Sequence, residues 1–451
     1  MRIASIAVLS IYLSRPGFLP GQQPLSLTEA VELAVRQNKS LESVRAQVKA
    51  AKAHLQVARA GYYPTLNYSE SATRSNNPVF VFSSLLIEHQ FTTANFEIGR
   101  LNRPGGLDNF RSSLLAEQTI FDAGQTRNAI RASHALEQVA TSEVHRTESE
   151  VTFNTIRAYL DAVLSATARQ AATQAVRSAE ADLKRARNIH QAGMSTEADV
   201  LSIRVHLARM REQEIRRTAE LVTARATLND ALGLSLDAEH ELTTQLSKPV
   251  QPSTDALAAY EKSAAENRPE ELRMQYSEQL ASTQLARERS TMLPTVSVAA
   301  ILEADRETFV TRGGANYTVA ATLNWNIFNG FRDKAQIEEL RQQLVSAKAL
   351  RERMSSAVRL EVRRAWEDLQ AANQRIAVSQ ATVAQAEESL RITQNRYQAG
   401  LSQVTELLRT EAAVLESRTE YLSALHDQRL AAAQLDAAAG TLTLASPSLK
   451  D

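Results

Sequence analysis

Two stretches late in the chain alternate between apolar residues and polar or small ones. Residues 295–302 and 317–328 show this period of two, which predicts β-strands with one apolar face. The apolar positions are Val296, Val298, Ala300 and Leu302 in the first stretch and Tyr317, Val319, Ala321, Leu323, Trp325 and Ile327 in the second. The rest of the chain offers these faces no broad apolar partner, whereas about 9–11 alternating residues suit a tilted membrane strand.

Two earlier segments, 65–72 and 110–121, alternate less regularly and are also predicted to be strands. Four strands are too few to close a barrel, and open sheet edges are not tolerated in lipid. The pattern therefore predicts a barrel that several chains complete together. Residues 75–110 carry many of the Phe residues and one Asn-Pro, one Arg-Pro and one Gly-Gly breaker, which indicate a long external loop or cap.

A spacing of three and four governs most of the remaining chain. Residues 331–399 contain no Pro or Gly and place apolar or small residues at this spacing, which predicts one helix of roughly 100 Å. Residues 125–191 follow the same pattern, and returning helices are predicted at about 200–231 and 403–438. Many residues of the stripe are Ala or Ser, and such small seams favour coiled-coil-like packing of helix against helix.

The tripeptide Gln-Ala-Gly separates a long helix from a returning one twice, at 191–193 and 398–400, which are 207 residues apart. Glycine readily adopts the left-handed conformation that ends a helix, so both tripeptides are predicted to be turns of helical hairpins. Ser195 or Thr196 is predicted to cap the first returning helix, and Ser402 the second.

The order helix, strand, strand, long hairpin occurs twice. IFDAGQTR at 120–127 matches IFNGFRDK at 327–334, again 207 residues later, and a repeat on this scale predicts a tandem duplication. The predicted organisation is a signal peptide at 1–23, a first repeat at 24–235, a linker at 236–256, a second repeat at 257–442 and a tail at 443–451, with β-hairpins at 64–121 and 294–328 and helical hairpins at 123–232 and 331–439 that turn at 191–195 and 398–402.

The N-terminus resembles a secretory signal, because Arg2 precedes an apolar run from Ile3 to Leu13. No later stretch has 18 uncharged apolar residues, so no transmembrane helix is predicted after it.

The doubled order, the two strand-to-helix joints and the two Gln-Ala-Gly turns together resemble the TolC-like outer membrane efflux proteins, over about residues 25–442. The resemblance implies a homotrimer in the cell outer membrane. Each chain would give four strands to a twelve-stranded β-barrel in the lipid, and its long hairpins would join an α-helical barrel that extends into the periplasm. This is a mainly α fold with a membrane β-barrel.

The resemblance also implies a function, that of the exit duct of a tripartite efflux pump or a type I secretion system. The hairpin turns would dock a periplasmic adaptor protein, which links the duct to an inner-membrane pump. The docking residues so implied are Gln191, Ala192, Gly193, Met194, Gln398, Ala399, Gly400 and Leu401. Two similar turns in each of three chains would give a pseudo-sixfold rim for repeated adaptor hairpins.

Glu406 matches a position at which family members carry an acidic residue that lines the constricted tip of the duct. Asp199 occupies the corresponding place after the first turn, six residues beyond its Gly. Arg409 stands where many members have a second acid, so the resemblance does not imply a strong cation-binding ring. A second interpretation of Glu406 stays open, since an acid in the first turn of a helix stabilises the helix dipole.

Composition argues against most other chemistry. Lys plus Arg and Asp plus Glu number 51 each, so nucleic acid is not expected as a partner. The absence of cysteine excludes disulfides and thiolate chemistry. The eight His residues show no paired metal spacing, and no nucleophile elbow, phosphate loop or dinucleotide fingerprint occurs. We therefore expect no enzymatic activity, no cofactor and no metal site.

Three alternatives remain. A soluble coiled-coil scaffold would not need the four alternating segments, and a periplasmic adaptor would normally carry one hairpin flanked by small β-domains. A carboxylate-bridged helical-bundle enzyme would need paired Glu-x-x-His motifs, which the sequence lacks. Recovery from the outer-membrane fraction as a heat-sensitive trimer distinguishes the channel from all three.

Overall fold

The computed structural model describes residues 23–193, 195–246, 256–310, 313–443 and 446, which form two compact units. Within the described residues, the sheet unit falls in the ranges 40–147 and 265–360, and the hairpin unit falls in the ranges 1–39, 148–264 and 361–451. The predicted signal peptide lies outside the described residues except for its last residue. Much of the predicted linker and tail, and Met194 of the first turn, also lie outside them.

Long helices dominate the chain, and short strands separate them. In chain order, the helices and strands are β1 (Gln23–Leu25), α1 (Leu27–Gln37), α2 (Lys39–Arg59), β2 (Thr65–Ser75), α3 (Pro78–Ile87), α4 (Ile98–Asn102), β3 (Leu107–Phe121), α5 (Gln125–Gln191), α6 (Glu197–Leu232), β4 (His240–Leu242), α7 (Leu257–Asn267), α8 (Pro269–Ser290), β5 (Thr295–Arg306), β6 (Gly314–Asn324), α9 (Arg332–Gln398) and α10 (Val404–Ala438). The two longest helices, α5 and α9, have 67 residues each.

The sheet unit contains a four-stranded antiparallel sheet in the order β2-β3-β5-β6. Its register places apolar residues of all four strands in rows on one face, because residues directly opposite each other share a face. One row is Tyr68, Leu114, Leu302 and Tyr317, and the next is Leu66, Ala116, Ala300 and Val319. The predicted apolar faces of β5 and β6 are thus confirmed as one surface, and its large side chains are exposed in the single chain.

The opposite face of the sheet is polar and carries a buried charge. Asp305 is fully buried there, and its Oδ1 accepts hydrogen bonds from Arg111 Nε at 2.9 Å and from Asn109 Nδ2 at 2.6 Å. These contacts join β3 of the first predicted repeat to β5 of the second. Across the described residues, no helix is long and apolar enough to cross a bilayer.

The last strand ends earlier than its alternation suggests. The prediction extends it to Phe328, whereas β6 ends at Asn324, which pairs with Thr295 at the start of β5. The residue before Thr295 is Pro294, which has no N–H to continue the ladder. Trp325, the next residue, instead donates its indole N–H to the Met292 carbonyl at 3.1 Å. The alternation of apolar residues therefore continues beyond Asn324, although the strand does not.

The long segment between β2 and β3 is not only a loop, because it contains α3 and α4. The Asn-Pro pair that indicates a break in the sequence begins α3 here. Asn77 Oδ1 accepts from the Val79 N–H at 2.9 Å, and Pro78 occupies the first helical turn, where its missing N–H costs nothing. Edge-to-face contacts that link Phe82, Phe91 and Phe96 hold the segment together.

The core of the hairpin unit is anchored by Tyr159 of α5, which is fully buried. Its hydroxyl donates to the Leu25 carbonyl at 2.7 Å and accepts from the Thr244 N–H at 3.3 Å. Leu25 ends β1, and Thr244 lies two residues beyond the end of β4; the two strands pair in parallel. One side chain therefore ties the short two-stranded sheet to the long helix.

A buried histidine joins α10 to α5 in the same unit. His426 Nε2 lies 2.9 Å from Asp161 Oδ1, and its Nδ1 lies 3.1 Å from Asp427 Oδ1. Burial by itself would lower the His426 pKa, but the hydrogen bonds and charges of the two carboxylates outweigh it and raise this pKa above the usual 6.5.

This cluster predicts a pH-dependent stability. Because the folded-state pKa of His426 is raised, its stabilising effect is complete below about pH 6.5 and is lost as the pH rises through the folded-state pKa. We expect His426→Gln to lower the melting temperature clearly at pH 6 and much less at pH 9. Thermal unfolding of the detergent-solubilised protein over this range measures the difference. His54→Gln, on an exposed position of α2, is the control, and an equal loss at both pH values for His426→Gln contradicts the assignment.

Candidate functional site

The second hairpin turn is a complete helix-ending motif. Gly400 has φ of 74°, and its N–H donates to the Tyr397 carbonyl at 3.0 Å, while the Leu401 N–H donates to the Arg396 carbonyl at 2.8 Å. This pair of bonds is the Schellman arrangement, in which a left-handed residue lets the last helical carbonyls be satisfied. The Leu401 side chain beyond it is 69% exposed, so an apolar group projects from the turn into solvent.

The first turn has the same geometry over its described residues. Gly193 has φ of 78°, and its N–H donates to the His190 carbonyl at 2.8 Å. A Cβ added at Gly193 or Gly400 would meet no atom within 4 Å, so backbone conformation alone requires glycine at both positions. The predicted docking residues other than Met194 are exposed in both turns, namely Gln191, Ala192, Gly193, Gln398, Ala399, Gly400 and Leu401.

The returning helices begin differently after the two turns. Thr196 caps α6 as one of the two predicted candidates, in a reciprocal capping box with Asp199. Ser402 does not cap α10, which begins after Gln403 with no side-chain hydrogen bond at the cap. The Ser402 hydroxyl donates instead to Glu406 Oε2 at 2.6 Å, because the helix begins one residue later than a Ser402 cap would require.

The three predicted constriction residues have separate local roles within one chain. The Asp199 carboxylate accepts from the Thr196 N–H at 3.1 Å, and the Glu406 carboxylate is held by Ser402. Glu406 lies in the first turn of α10, where a negative charge interacts favourably with the helix dipole. Arg409 is exposed one turn further along this helix.

The two hairpins pack against each other directly beneath their turns. The seam is made of small and branched apolar residues from α5 and α6, joined by Val404 at the start of α10, and Tyr397, Leu408 and Met210 pack against it. The buried residues of the first hairpin are Val176, Ala179, Leu183, Ala186, Val200, Ile203 and Leu207. Packing of this kind fixes the position of one turn relative to the other.

A cavity of about 320 Å³ follows this seam along the hairpins, and α5, α6, α9 and α10 all line it. Asp182, His206 and Glu411 project into it from three of these helices. Sequence analysis did not find this group, because its members come from distant parts of the chain with no spacing signal. In the sequence, His206 is one of eight scattered histidines with no spacing that sets it apart.

The cavity perturbs the acids and bases that line it. Burial, and then the Asp182 carboxylate, raise the pKa of Glu411 to about 8. Burial lowers the pKa of His206, whose Nε2 lies 3.7 Å from Glu411 Oε2. Tyr397 packs against the neighbouring seam, and burial, followed by the charge of Asp199, raises its pKa. At neutral pH, the part of the helix interface around Glu411 and His206 therefore carries little net charge.

The family model of outer membrane efflux proteins matches residues 30–234 and 261–441 of this chain. Protein CyaE of Bordetella pertussis is 28% identical over 430 residues, which cover 93% of this chain and 84% of CyaE. Outer membrane efflux protein BepC of Brucella suis is 24% identical over 436 residues, which cover 94% of this chain and 88% of BepC.

Solved structures share the fold. The CmeC outer membrane channel of Campylobacter jejuni superposes with a TM-score of 0.78 at 16% identity, covering 93% of this chain and 87% of CmeC. The outer membrane protein VceC of Vibrio cholerae superposes with a TM-score of 0.77 at 18% identity, covering 92% of this chain and 96% of VceC. The helical hairpins and the four-stranded sheet thus belong to a known channel fold.

The geometry of the second turn makes a prediction about its glycine. Gly400→Val should destabilise the turn by about 1–2 kcal/mol, because a β-branched residue is strained in the left-handed region. Gly400→Asn should be tolerated, since Asn adopts this conformation more readily. Hydrogen exchange of the amides at 400–407 measures local opening. Gly105→Val is the matched control, because a Cβ there meets nothing and its φ is not positive. Slow exchange retained in Gly400→Val contradicts the assignment.

Proposed function

The chain belongs to the outer membrane efflux protein family and lies in the outer membrane, and we propose that it forms, as a homotrimer, the exit duct of a tripartite efflux pump or a type I secretion system. The observation that carries the trimer is the four-stranded sheet with two open edges. The duct is a passive conduit that performs no covalent chemistry, and a partner pump supplies the energy for transport.

The open edges favour assembly with further copies of the chain. Within the described residues, β2 and β6 each pair on one side only and present 11 residues of backbone on the other. Unpaired N–H and C=O groups cannot remain exposed to lipid, because each costs several kcal/mol there. The strands alternate in direction, so β6 of one chain can continue antiparallel into β2 of the next. Three copies give twelve strands.

The two faces of the sheet match this assembly. The rows that contain Tyr68 and Tyr317 give an exposed apolar band, which suits contact with lipid. The opposite face, with Arg111, Glu303 and Asp305, suits a water-filled lumen. A soluble coiled-coil scaffold, the alternative function, has no use for an apolar band of this kind and would expose it to water.

The hairpin turns are proposed as the periplasmic end of the duct and the docking site of an adaptor. Both turns present exposed backbone and small side chains, and Leu401 adds an exposed apolar group. Three chains would present six such turns, which suits an adaptor that binds through repeated helical hairpins. Asp199 and Glu406 lie just inside the turns and are proposed to line the narrow end, where Arg409 offsets part of their negative charge.

Cysteine cross-linking tests the trimer directly, because the chain has no cysteine of its own. We expect Leu66→Cys combined with a cysteine at one of Val319, Ala321 or Leu323 to give covalent dimers and trimers on oxidation in outer membranes. These positions lie on the same face of the two edge strands. Denaturing gels measure the products, with each single-cysteine chain as the control. A protein that stays monomeric across the whole panel, and that purifies as a monomer without detergent, contradicts the proposal.

If an adaptor docks at the turns, a charge introduced at Leu401 should weaken its binding. Leu401→Glu should weaken adaptor binding at least about tenfold, since losing a buried apolar anchor commonly costs more than 1.4 kcal/mol. The measurement is the amount of adaptor protein that co-purifies with the channel after cross-linking in cells, counted by mass spectrometry. Val378→Glu, an equally exposed position on α9 far from the turn, is the matched control. Equal adaptor recovery from the two variants would exclude Leu401 from the contact.

A further inference from the structure

The cavity beneath the turns holds a pair of carboxyl groups that connect the two hairpins. Asp182 projects from α5, and its side chain is about 10% exposed. Glu411 projects from α10, and its side chain is about 14% exposed. Both side chains line the same cavity, and the Asp182 carboxylate is, after burial, the main cause of the raised pKa of Glu411. A hydrogen bond between two carboxyl groups requires one proton, because two carboxylates have no donor.

The charged groups around the pair determine the net charge of the site when the pair holds its proton and when it has lost it. Arg185 donates to Asp182 Oδ1 at 2.9 Å, so these two side chains neutralise each other. His206 faces Glu411 from α6 at 3.7 Å. Burial lowers the pKa of His206, the Asp182 carboxylate opposes this and Arg209 adds to it, and the net effect is a lowered pKa that favours the neutral imidazole.

The remaining neighbours do not supply a free positive charge. Tyr397 of α9 is uncharged, since its pKa is raised. Arg418 lines the far end of the cavity from α10 and is held by Glu387 at 2.6 Å. The site is therefore close to neutral when Glu411 holds its proton and carries one uncompensated negative charge when it does not.

We infer that the Asp182–Glu411 pair is a proton-dependent latch that holds α10 against the first hairpin next to the turns. With the proton, Glu411 donates to Asp182 across the interface, and the contact is closed. Without it, two carboxylates face each other in a largely buried site and repel. Breaking the helix contact and admitting water to the cavity relieves this repulsion, so proton loss favours an open interface.

The sign of the pH dependence follows from the same groups. The Glu411 pKa rises from its usual 4.5 to about 8, so the closed interface binds a proton that the open one releases. Its contribution to the contact is complete below about pH 4.5 and declines as the pH rises towards 8. Acid therefore closes the latch and alkali releases it. For the proposed duct, and only if that function holds, the turns would loosen as the surroundings become alkaline.

A distance measurement between the helices tests the latch in the full-length protein. Because the chain lacks cysteine, spin labels can be attached at Ala208→Cys on α6 and Ala413→Cys on α10, both exposed. Labelled chains are diluted into unlabelled chains in detergent, so that each assembly carries one pair. Pulsed electron resonance then gives the distance distribution from pH 6 to pH 9.5.

We expect one narrow distribution at pH 6 and a longer or broader one at pH 9.5, with a midpoint near pH 8. Glu411→Gln keeps the hydrogen bond but cannot ionise, and it should give the narrow distribution throughout. Asp182→Asn should also abolish the transition. Glu416→Gln, an exposed acid on the same helix, should behave like the parent chain.

Two results overturn the inference, namely no change in the parent chain over this range or an unchanged transition in Glu411→Gln. Neither depends on transport. The single-channel current of the same preparations in planar bilayers tests the duct separately. A preparation that shows the pH transition but never conducts would refute the duct and leave the latch standing.

Discussion

Backbone hydrogen bonding in a medium without water is the constraint on which the rest of the structure depends. A single chain makes a sheet of four strands whose two outer edges have no partner among the described residues. In water such edges would be satisfied by solvent, but in lipid they must be paired by protein. The proposed trimer meets this requirement, and it explains why a chain of this length builds so small a sheet.

The same constraint orders the side chains of the sheet. Rows of apolar residues cross all four strands on one face, while Asp305 and its partners occupy the other. A shift of one residue in any pairing would exchange the faces. The buried Asp305 contacts of Arg111 and Asn109 join β3 to β5 and therefore help to fix this register between the two halves of the chain.

The hairpin unit follows a different principle, in which small residues allow close packing and ionisable groups interrupt it. The seam under the turns is made of Ala, Val, Leu and Ile. The Asp182–Glu411 pair and the His426 cluster introduce protons into helix contacts, and rising pH weakens both contacts for different reasons. Rising pH weakens the His426 contact by removing a positive charge, and it weakens the Glu411 contact by creating a negative one.

Local chemistry in the sequence determined the long helices, the glycine turns and the alternation of β5 and β6, because each depends on residues close together in the chain. The left-handed Gly193 and Gly400 are examples, since a Cβ at either position would meet no atom within 4 Å and the backbone conformation alone requires glycine. Tertiary structure decided where β6 ends, since only pairing with Thr295 and the absent N–H of Pro294 stop the ladder. Two contacts that the prediction missed are also local, since Ser402 binds Glu406 four residues later instead of capping α10, and Asn77 caps α3 by accepting from Val79 two residues later. The acid pair at Asp182 and Glu411 was out of reach of the sequence, because 228 intervening residues separate two groups that only helix packing brings together.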